Sequence, residues 1–238
     1  MDAQRRPMPF SRVWDDAPVP ISILEVIALT PADAVAAREG GADRVELVTD
    51  MRRQGLTPAI ATYAAVREAG LPVRVMLRGQ DGYALGDAEG LVRAAAALRE
   101  AGADEFVLGF LDAAGAVDLA AVEAVLTVIE GCRWTFHRAI DHAADRAAAW
   151  AALSGLPGLD CVLTAGGPDG VGAGLATLVA EAGHRPRVLA GGGLRPGHVA
   201  PLLDAGVDAF HTGSAVRPGG RWDAPVDAAL VRAWRALA

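Results

Sequence analysis

The chain alternates apolar, strand-like runs with alanine-rich, helix-like stretches, and four strands are entered in the same way. Each of the four follows a glycine, one apolar residue and an aspartate. The four joints are Gly41-Ala42-Asp43, Gly102-Ala103-Asp104, Gly158-Leu159-Asp160 and Gly206-Val207-Asp208. We interpret the glycine as the left-handed end of a helix, and the apolar run as a strand buried on both faces. Four more strand candidates lie between these joints, at 21–29, 73–78, 134–140 and 187–193.

Eight strands that alternate with helices predict an α/β fold, a single (β/α)8 or TIM barrel. The 238 residues are close to the roughly 250 typical of this fold. We expect one domain at 21–238, preceded by a partly ordered extension at 1–20. Thr30, Asp87 and Asp118 are expected to cap helices, and Asp141 to open the fifth. Active sites of such barrels lie where the strands end, so those ends are the place to look for chemistry.

Composition narrows the class of protein. Hydrophobic residues make up 52% and charged residues 21% of the chain, which is enough for a large core. The net charge of −7, without a Lys/Arg cluster, argues against nucleic acid or an anionic membrane as partner. Two cysteines without ligand spacing make a disulfide framework or structural zinc site unexpected. With no apolar signal segment at its start and no bilayer-length apolar run, the chain is expected to be cytoplasmic.

Ionisable residues interrupt the apolar strands near their C-terminal ends. They are Glu25, Glu46, Arg78, His137, Arg138 and His211, with Asp112 and Asp141 just beyond the strands. A buried, unpaired carboxylate costs several kcal/mol, so each glutamate is expected to meet a cation from the protein or a ligand. The structural alternative is a charge network that merely fills the barrel.

Individual residues in this set carry their own alternatives. Strand alternation puts His137 and Arg138 on opposite faces, and we favour His137 inside the barrel. Asp141 is expected to orient one of these two side chains, or to cap a helix. His211 alone could equally be a core histidine bonded to a backbone carbonyl.

Glycine-containing turns follow the last two predicted strands. They comprise Gly191, Gly192 and Gly193 after strand seven, and Thr212, Gly213 and Ser214 after strand eight. Barrels frequently bind phosphate with these two loops, because exposed N–H groups there can converge on an anion. The sequence therefore predicts an anion-binding site, with Arg195 as a candidate side-chain supplement. Close packing is the alternative explanation for the glycines.

Several segments resemble the CutC family of copper-homeostasis proteins, over about residues 23–216. The most specific are GADRVEL around Glu46, GLTP at 55–58 and TFHRAID at 135–141. The resemblance implies a cytoplasmic TIM barrel, a homodimer or higher homo-oligomer, involved in copper homeostasis and copper binding. Its implied pocket residues are Glu25, Glu46, Arg78, Asp112, His137, Arg138 and Asp141.

This chain departs from the family where a copper ligand would be sought. Several relatives carry cysteines just after the glutamate of strand one and at the end of strand two, where Ile27-Ala28 and Val48 stand here. Cu(I) prefers thiolate and thioether donors. Cys132 and Cys161 open strands five and six, at the opposite end of the barrel, and Met51 and Met76 are not expected to cluster. Copper as a cofactor therefore rests on the resemblance alone.

Two other hypotheses remain open. A divalent cation could be held by Glu25, Glu46 and His137, because carboxylates and imidazole suit hard or borderline metals. Alternatively the protein is an enzyme of lyase, isomerase or hydrolase type, acting on a small phosphorylated or carboxylated metabolite. In that hypothesis the glycine turns and Arg78 hold the anion, while a glutamate and His137 move protons. The sequence does not decide between them.

Overall fold

The computed structural model describes residues 21–237, and within them eight parallel strands close into one barrel. The strands are β1 Ile23–Ala28, β2 Arg44–Leu47, β3 Val73–Met76, β4 Glu105–Leu108, β5 Arg133–Phe136, β6 Leu159–Thr164, β7 Arg187–Ala190 and β8 Ala209–Thr212. The helices are α1 Pro31–Glu39, α2 Ile60–Arg67, α3 Ala88–Glu100, α4 Leu119–Leu126, α5 Arg146–Leu153, α6 Val171–Ala180, α7 Pro196–Asp204 and α8 Ala228–Arg235. Pairing of β1 with β8 closes the barrel. The predicted single (β/α)8 barrel is confirmed, and the predicted extension at 1–20 lies outside the described residues.

The repeated glycine joints adopt the backbone that the sequence predicted. Gly41, Gly102, Gly158 and Gly206 all have left-handed φ values, between 75° and 97°. A residue with a Cβ is disfavoured in this region, so glycine lets the chain leave one element and enter the next strand at once.

Most predicted helix caps are also confirmed. The hydroxyl of Thr30 accepts from the N–H of Asp33, and the carboxylates of Asp87 and Asp118 each accept from the N–H three residues on. The prediction for the fifth helix was wrong, because α5 begins after an Asp145 cap. Residues Arg138–His142 form a separate 3-10 helix before it.

Some strands are shorter than the apolar runs suggested. The predicted strand 134–140 ends at Phe136, where the chain turns into the 3-10 helix, and the predicted strand 187–193 ends at Ala190. Regular alternation of side chains stops at these points. The residues beyond them therefore belong to the loops at the C-terminal mouth of the barrel.

The main hydrophobic core lies between the sheet and the helices. It contains the fully buried aromatic residues Phe106, Trp134, Phe136 and Phe210. Smaller apolar clusters fill the barrel interior. One of them comprises Ile27, Val48, Met76 and Val107, and the other comprises Cys161, Leu163, Leu189 and Ala209.

A cluster of charged side chains closes the N-terminal end of the barrel, which we call the basal ion cluster. Its centre is Arg74, which is fully buried and donates to both carboxylate oxygens of Asp160, at 2.7 and 2.6 Å. Arg74 also donates to Glu105 at 2.9 Å and to the hydroxyl of Thr135. These contacts join β3 to β4, β5 and β6 across the interior.

The helices of residues 21–237 do not have the dimensions of a membrane span. Each is too short, or not apolar enough, to cross a bilayer.

Candidate active site

A cavity of about 430 Å³ opens at the C-terminal mouth. This volume is within the range of pockets that bind small molecules. Four of the predicted pocket side chains line it: Glu46, Arg78, His137 and Arg138. Five of the predicted anion-binding residues line its rim: Gly192, Gly193, Thr212, Gly213 and Ser214. The fold thus brings together the ends of strands that are far apart in sequence.

Glu25 lies one layer below the cavity and holds His211 in place. Glu25 is fully buried; it accepts from Arg44 Nε at 2.5 Å and from His211 Nδ1 at 2.7 Å. The expectation that this carboxylate meets a cation is therefore correct, although Arg44 was not foreseen as the partner. His211 is bonded to a carboxylate rather than to a backbone carbonyl. Its other nitrogen, Nε2, lies 3.8 Å from Glu46 Oε2, so three side chains form a Glu25–His211–Glu46 chain that leads into the cavity.

The three groups of this chain have pKa values displaced in different directions. Burial would raise the pKa of Glu25, but the adjoining Arg44 and His211 hold it well below its usual range. Burial raises the pKa of Glu46 to about 7, and the charge of Glu25 adds to that rise. Burial would lower the pKa of His211, but Glu46 and then Glu25 raise it. Near neutral pH, Glu25 is therefore ionised, while Glu46 titrates close to neutrality beside His211.

His137 presents a neutral imidazole to the same cavity. Its Nδ1 accepts from the N–H of Ala139 at 3.2 Å, so the ring proton resides on Nε2. That Nε2 is buried and has no partner within residues 21–237. Burial, reinforced by the charge of Arg78, lowers the pKa of His137 to about 3. The ring is thus a hydrogen-bond donor that carries no charge.

Arg78 supplies a positive charge that forms no ion pair within residues 21–237. Its guanidinium donates to the carbonyl of Gly82 at 3.1 and 2.9 Å, and to that of Gln54 at 3.2 Å. It also lies 5.2 Å from the centre of the Tyr83 ring. Among residues 21–237, no carboxylate oxygen lies within 4.0 Å of it. Arg78 therefore gives this part of the cavity local positive charge, although the protein as a whole is acidic.

Arg138 lies over the glycine turn after β7, which the sequence analysis did not foresee. Its Nε donates to Asp141 at 2.8 Å. A Cβ added to Gly192 would lie 2.7 Å from the guanidinium carbon of Arg138, so the guanidinium packs directly against this glycine. The expectation that His137 and Arg138 face opposite sides is wrong, because the strand ends at Phe136 and both residues line the cavity.

Asp141 fixes Arg138 rather than reaching the cavity. Besides Arg138, it accepts from Arg146 Nη1 at 3.1 Å, from the Thr164 hydroxyl at 2.5 Å and from the Ala165 N–H at 2.9 Å. Both oxygens of this buried carboxylate are therefore occupied. Of the roles considered, orienting Arg138 is the one these contacts support.

Three other predicted residues lie outside the cavity lining. Asp112 is exposed and accepts from the N–H groups of Ala114 and Ala116, which closes a turn after β4. Gly191 is a packing position, because an added Cβ would lie 2.7 Å from Leu163 and 2.9 Å from His211. Arg195 is exposed. Of the two arginines, Arg138 rather than Arg195 contacts the glycine turn and lines the cavity.

The residues present do not fit a metal centre. In the part of the chain that the structure describes, no three His, Cys, Asp or Glu side chains are grouped so that they could hold a metal ion. The set Glu25, Glu46 and His137 is thereby contradicted, since Glu25 is bound to Arg44.

Sulfur donors are also poorly arranged for Cu(I). Cys132 and Cys161 are buried and do not line the cavity; Cys161 lies 3.7 Å from Arg44 Nη2. Met51 and Met76, expected apart, both pack in the apolar wall beside Ile27. Two thioethers without a thiolate are a weaker donor set than the cysteines that the family resemblance would place nearby.

Two residues at the site were not predicted as site residues from the sequence. Arg44, the partner of Glu25, stands at the start of β2, and Tyr83 stands in a loop. His211 was named, but its partner Glu25 lies 186 positions away in the chain. Only closure of the barrel brings these two residues together.

A (β/α)8 barrel with buried acids, histidines and arginines around a C-terminal cavity is the architecture that barrel enzymes use for small molecules. The chain belongs to the CutC family, whose profile matches residues 22–216. A CutC family protein of Caulobacter vibrioides (strain NA1000 / CB15N) is 39% identical over 188 residues, which cover 76% of each chain. One from Klebsiella pneumoniae (strain 342) is 34% identical over 208 residues, covering 85% of this chain and 82% of the relative.

A solved structure supports the fold. The crystal structure of CutC from Streptococcus agalactiae, described there as a copper homeostasis protein, superposes with a TM-score of 0.72. It is 23% identical, and the match covers 80% of this chain and 97% of the other.

Proposed function

We propose that this protein is an acid–base enzyme that moves a proton on a small anionic metabolite, phosphorylated or carboxylated, bound in the C-terminal cavity. The observation that carries this proposal is the Glu25–His211–Glu46 chain. It ends in a buried carboxylate whose Oε1 has no partner within residues 21–237. An unpaired buried oxygen costs free energy, and no contact within residues 21–237 offsets that cost. A proton from a substrate would satisfy this oxygen.

Glu46 is the proposed base. A group is most effective in proton transfer when its pKa lies near the working pH, and burial raises the pKa of Glu46 to about 7. A proton leaves a carbon or hydroxyl of the substrate for Glu46 Oε1 and is later returned from it. When Glu46 gains or loses this proton, the charge on His211 can change with it, because Glu25 orients the His211 ring and supports the imidazolium form.

His137 and Arg78 are the proposed stabilisers of the charge that develops on the substrate. A neutral imidazole can donate its Nε2–H to a substrate oxygen that becomes negative. Because the imidazole carries no charge, it does not form an ion pair with the carboxylate of Glu46 before the proton is transferred. The unbalanced charge of Arg78 favours the same anionic state. Lyase, isomerase and hydrolase reactions all contain such a proton-transfer step.

Copper homeostasis is the role named for the S. agalactiae protein, and in that role copper would be cargo. The thiols of Cys132 and Cys161 lie away from the cavity, and Met51 and Met76 lie in an apolar wall without a thiolate. This donor set does not support tight Cu(I) binding. We therefore place the enzyme ahead of direct copper binding.

Deuterium exchange tests the proposed function. Carbonyl and hydroxy metabolites bearing phosphate or carboxylate would be incubated with the protein in D2O, and C–H loss followed by proton NMR. The expected result is exchange at one carbon of at least one compound, reduced about 100-fold or more in Glu46→Gln. Glu123→Gln, on the exposed face of α4, is the matched control and should retain the wild-type rate. Equal rates in Glu46→Gln and wild type would contradict the proposed base.

The remaining predictions about partners stay predictions. A cytoplasmic location and a homo-oligomeric assembly are expected from the family, and no nucleic acid or membrane partner is expected from the acidic composition.

A further inference from the structure

The rim of the cavity presents unpaired backbone donors from two facing loops. Gly193 and Leu194 follow β7, while Ser214 and Ala215 follow β8, and all four residues line the cavity. Within residues 21–237, none of their N–H groups has an acceptor. Leu194 is buried and Ser214 is half-buried, whereas Gly193 and Ala215 are exposed at the rim. Buried backbone donors are nearly always paired, so the N–H groups of Leu194 and Ser214 indicate that something else accepts from them.

Arg138 brings a charge to the same rim. Its Nε is held by Asp141, and its Nη2 reaches the carbonyl of Pro168 at 3.4 Å, but its Nη1 has no acceptor among the described residues. The glycine at 192 is required for this arrangement, since a Cβ there would lie 2.7 to 2.9 Å from three guanidinium atoms. A side chain at position 192 would displace the guanidinium, so the turn and the arginine form one unit.

The number of donors distinguishes two kinds of anion. A carboxylate has two oxygens, whereas a phosphate monoester has three terminal oxygens and close to two negative charges. Four N–H groups and a guanidinium exceed what one carboxylate accepts. The unbalanced charge of Arg78 in the same cavity further favours a ligand with more than one negative charge.

We infer that the substrate is a phosphate monoester whose phosphate binds between the loops after β7 and β8, with its reacting carbon deeper in the cavity near Glu46 and His137. This inference rests on the proposed function for the reacting end, but the phosphate site stands on its own contacts. The two ends of the substrate are then held by different parts of the cavity: backbone and Arg138 at the rim, acids and imidazoles at the base.

Inorganic phosphate is the probe for this site, with acetate as the carboxylate comparison. Nitrogen–proton NMR spectra of the full chain would be recorded during titration with each. The inference predicts saturable shifts of the Gly193, Ser214 and Ala215 amides with phosphate, and at least tenfold weaker binding of acetate. Phosphate that shifts only amides away from this rim, or acetate that binds equally well, would overturn it.

Two variants and one control sharpen the titration. Arg138→Gln removes the guanidinium, while Asp141 keeps its bonds from Arg146, Thr164 and Ala165. Phosphate affinity should fall about tenfold, the effect expected for one charge-assisted hydrogen bond. Gly192→Ala should do the same by displacing the arginine. Arg195→Gln, an exposed arginine at the end of the same loop, should leave affinity unchanged, and an equal loss there would overturn the assignment.

Failure of this inference and failure of the proposed function give different results. Deuterium exchange on a carboxylated compound, without phosphate binding at the rim, would overturn the phosphate site and leave Glu46 as the base. Phosphate binding that depends on Arg138, with exchange unaffected by Glu46→Gln, would uphold the phosphate site and remove the proposed base.

Discussion

Replacing Glu46 by glutamine should remove a pH dependence from the stability of the protein. Glu46 is 2% exposed, its Oε1 is unpaired within residues 21–237, and its nearest cation is His211 Nε2 at 3.8 Å. The carboxylate is therefore buried with little compensation. Glutamine has nearly the same shape and does not ionise, so the variant removes the charge while it keeps the packing.

The magnitude follows from the two pKa values of this carboxyl group. Burial raises the pKa of Glu46 from 4.5 to about 7 on folding, which corresponds to about 3 kcal/mol. Because the folded state holds the proton more tightly, the stability contributed by Glu46 is complete below pH 4.5 and is lost as the pH rises through 7. The raised pKa of His211 acts in the same direction. In the variant its largest raising influence, Glu46, is absent, so that contribution also shrinks.

Urea denaturation at intervals between pH 4.5 and about pH 8.5 measures the effect. The wild type should lose about 3 kcal/mol more of its free energy of unfolding over this range than Glu46→Gln loses. A constant offset between the two proteins is expected from the different hydrogen bonding of the amide, and only the slope against pH is informative. Glu123→Gln should follow the wild-type slope. If the offset between wild type and Glu46→Gln stays constant within about 0.5 kcal/mol across the range, Glu46 is not a buried carboxyl group with a raised pKa.

Three further changes test other parts of the structure. Glu25→Gln should cost about 3–5 kcal/mol of stability in denaturation, because it leaves Arg44 buried without its partner. It should also lower the pKa of His211, measured by an NMR titration of the imidazole. An unchanged His211 titration would exclude the Glu25–His211 bond. Asp33→Asn should destabilise the protein by about 3 kcal/mol, because Asp33, in α1, accepts from Arg217 and from the Val226 N–H, which follow β8. Faster hydrogen exchange should appear in the segment before α8, and exchange confined to α1 would contradict a link between α1 and that segment. Purified protein exposed to Cu(I) should release it to a moderate chelator, and a Cys132→Ala/Cys161→Ala double variant should behave identically; near-stoichiometric copper that survives the chelator and depends on either cysteine would reverse the assignment against copper.

Much of the architecture could be predicted from local pattern. Glycine at a helix end, an N-cap such as Thr30 or Asp118, and an apolar run each depend on residues within about four positions of one another. Eight strand–helix units in 238 residues match the (β/α)8 barrel, in which an outer ring of helices covers the parallel sheet. The gathering of Glu46, Arg78 and His137 follows from the same argument, since all the strands of a barrel end at one mouth.

Local pattern was misleading where the chain leaves regular geometry. Alternation placed Arg138 on the side opposite His137, but β5 ends at Phe136 and both side chains enter the cavity. Asp112 resembled a pocket residue and instead closes its own turn. In both cases the last residue of a strand or the geometry of a loop decided the outcome, and neither is encoded in a hydrophobic period.

The sequence was sufficient to establish the repeating strand–helix unit, the closed barrel and the end at which polar side chains collect, because these depend on spacing between near neighbours. Closure of the barrel established the partners: Glu25 with His211, Arg74 with Asp160, and Arg138 over Gly192. These pairs are separated by 186, 86 and 54 positions respectively. A charged residue in an apolar strand indicates that it needs a partner. The curvature and stagger of the whole sheet determine which residue is close enough to be that partner.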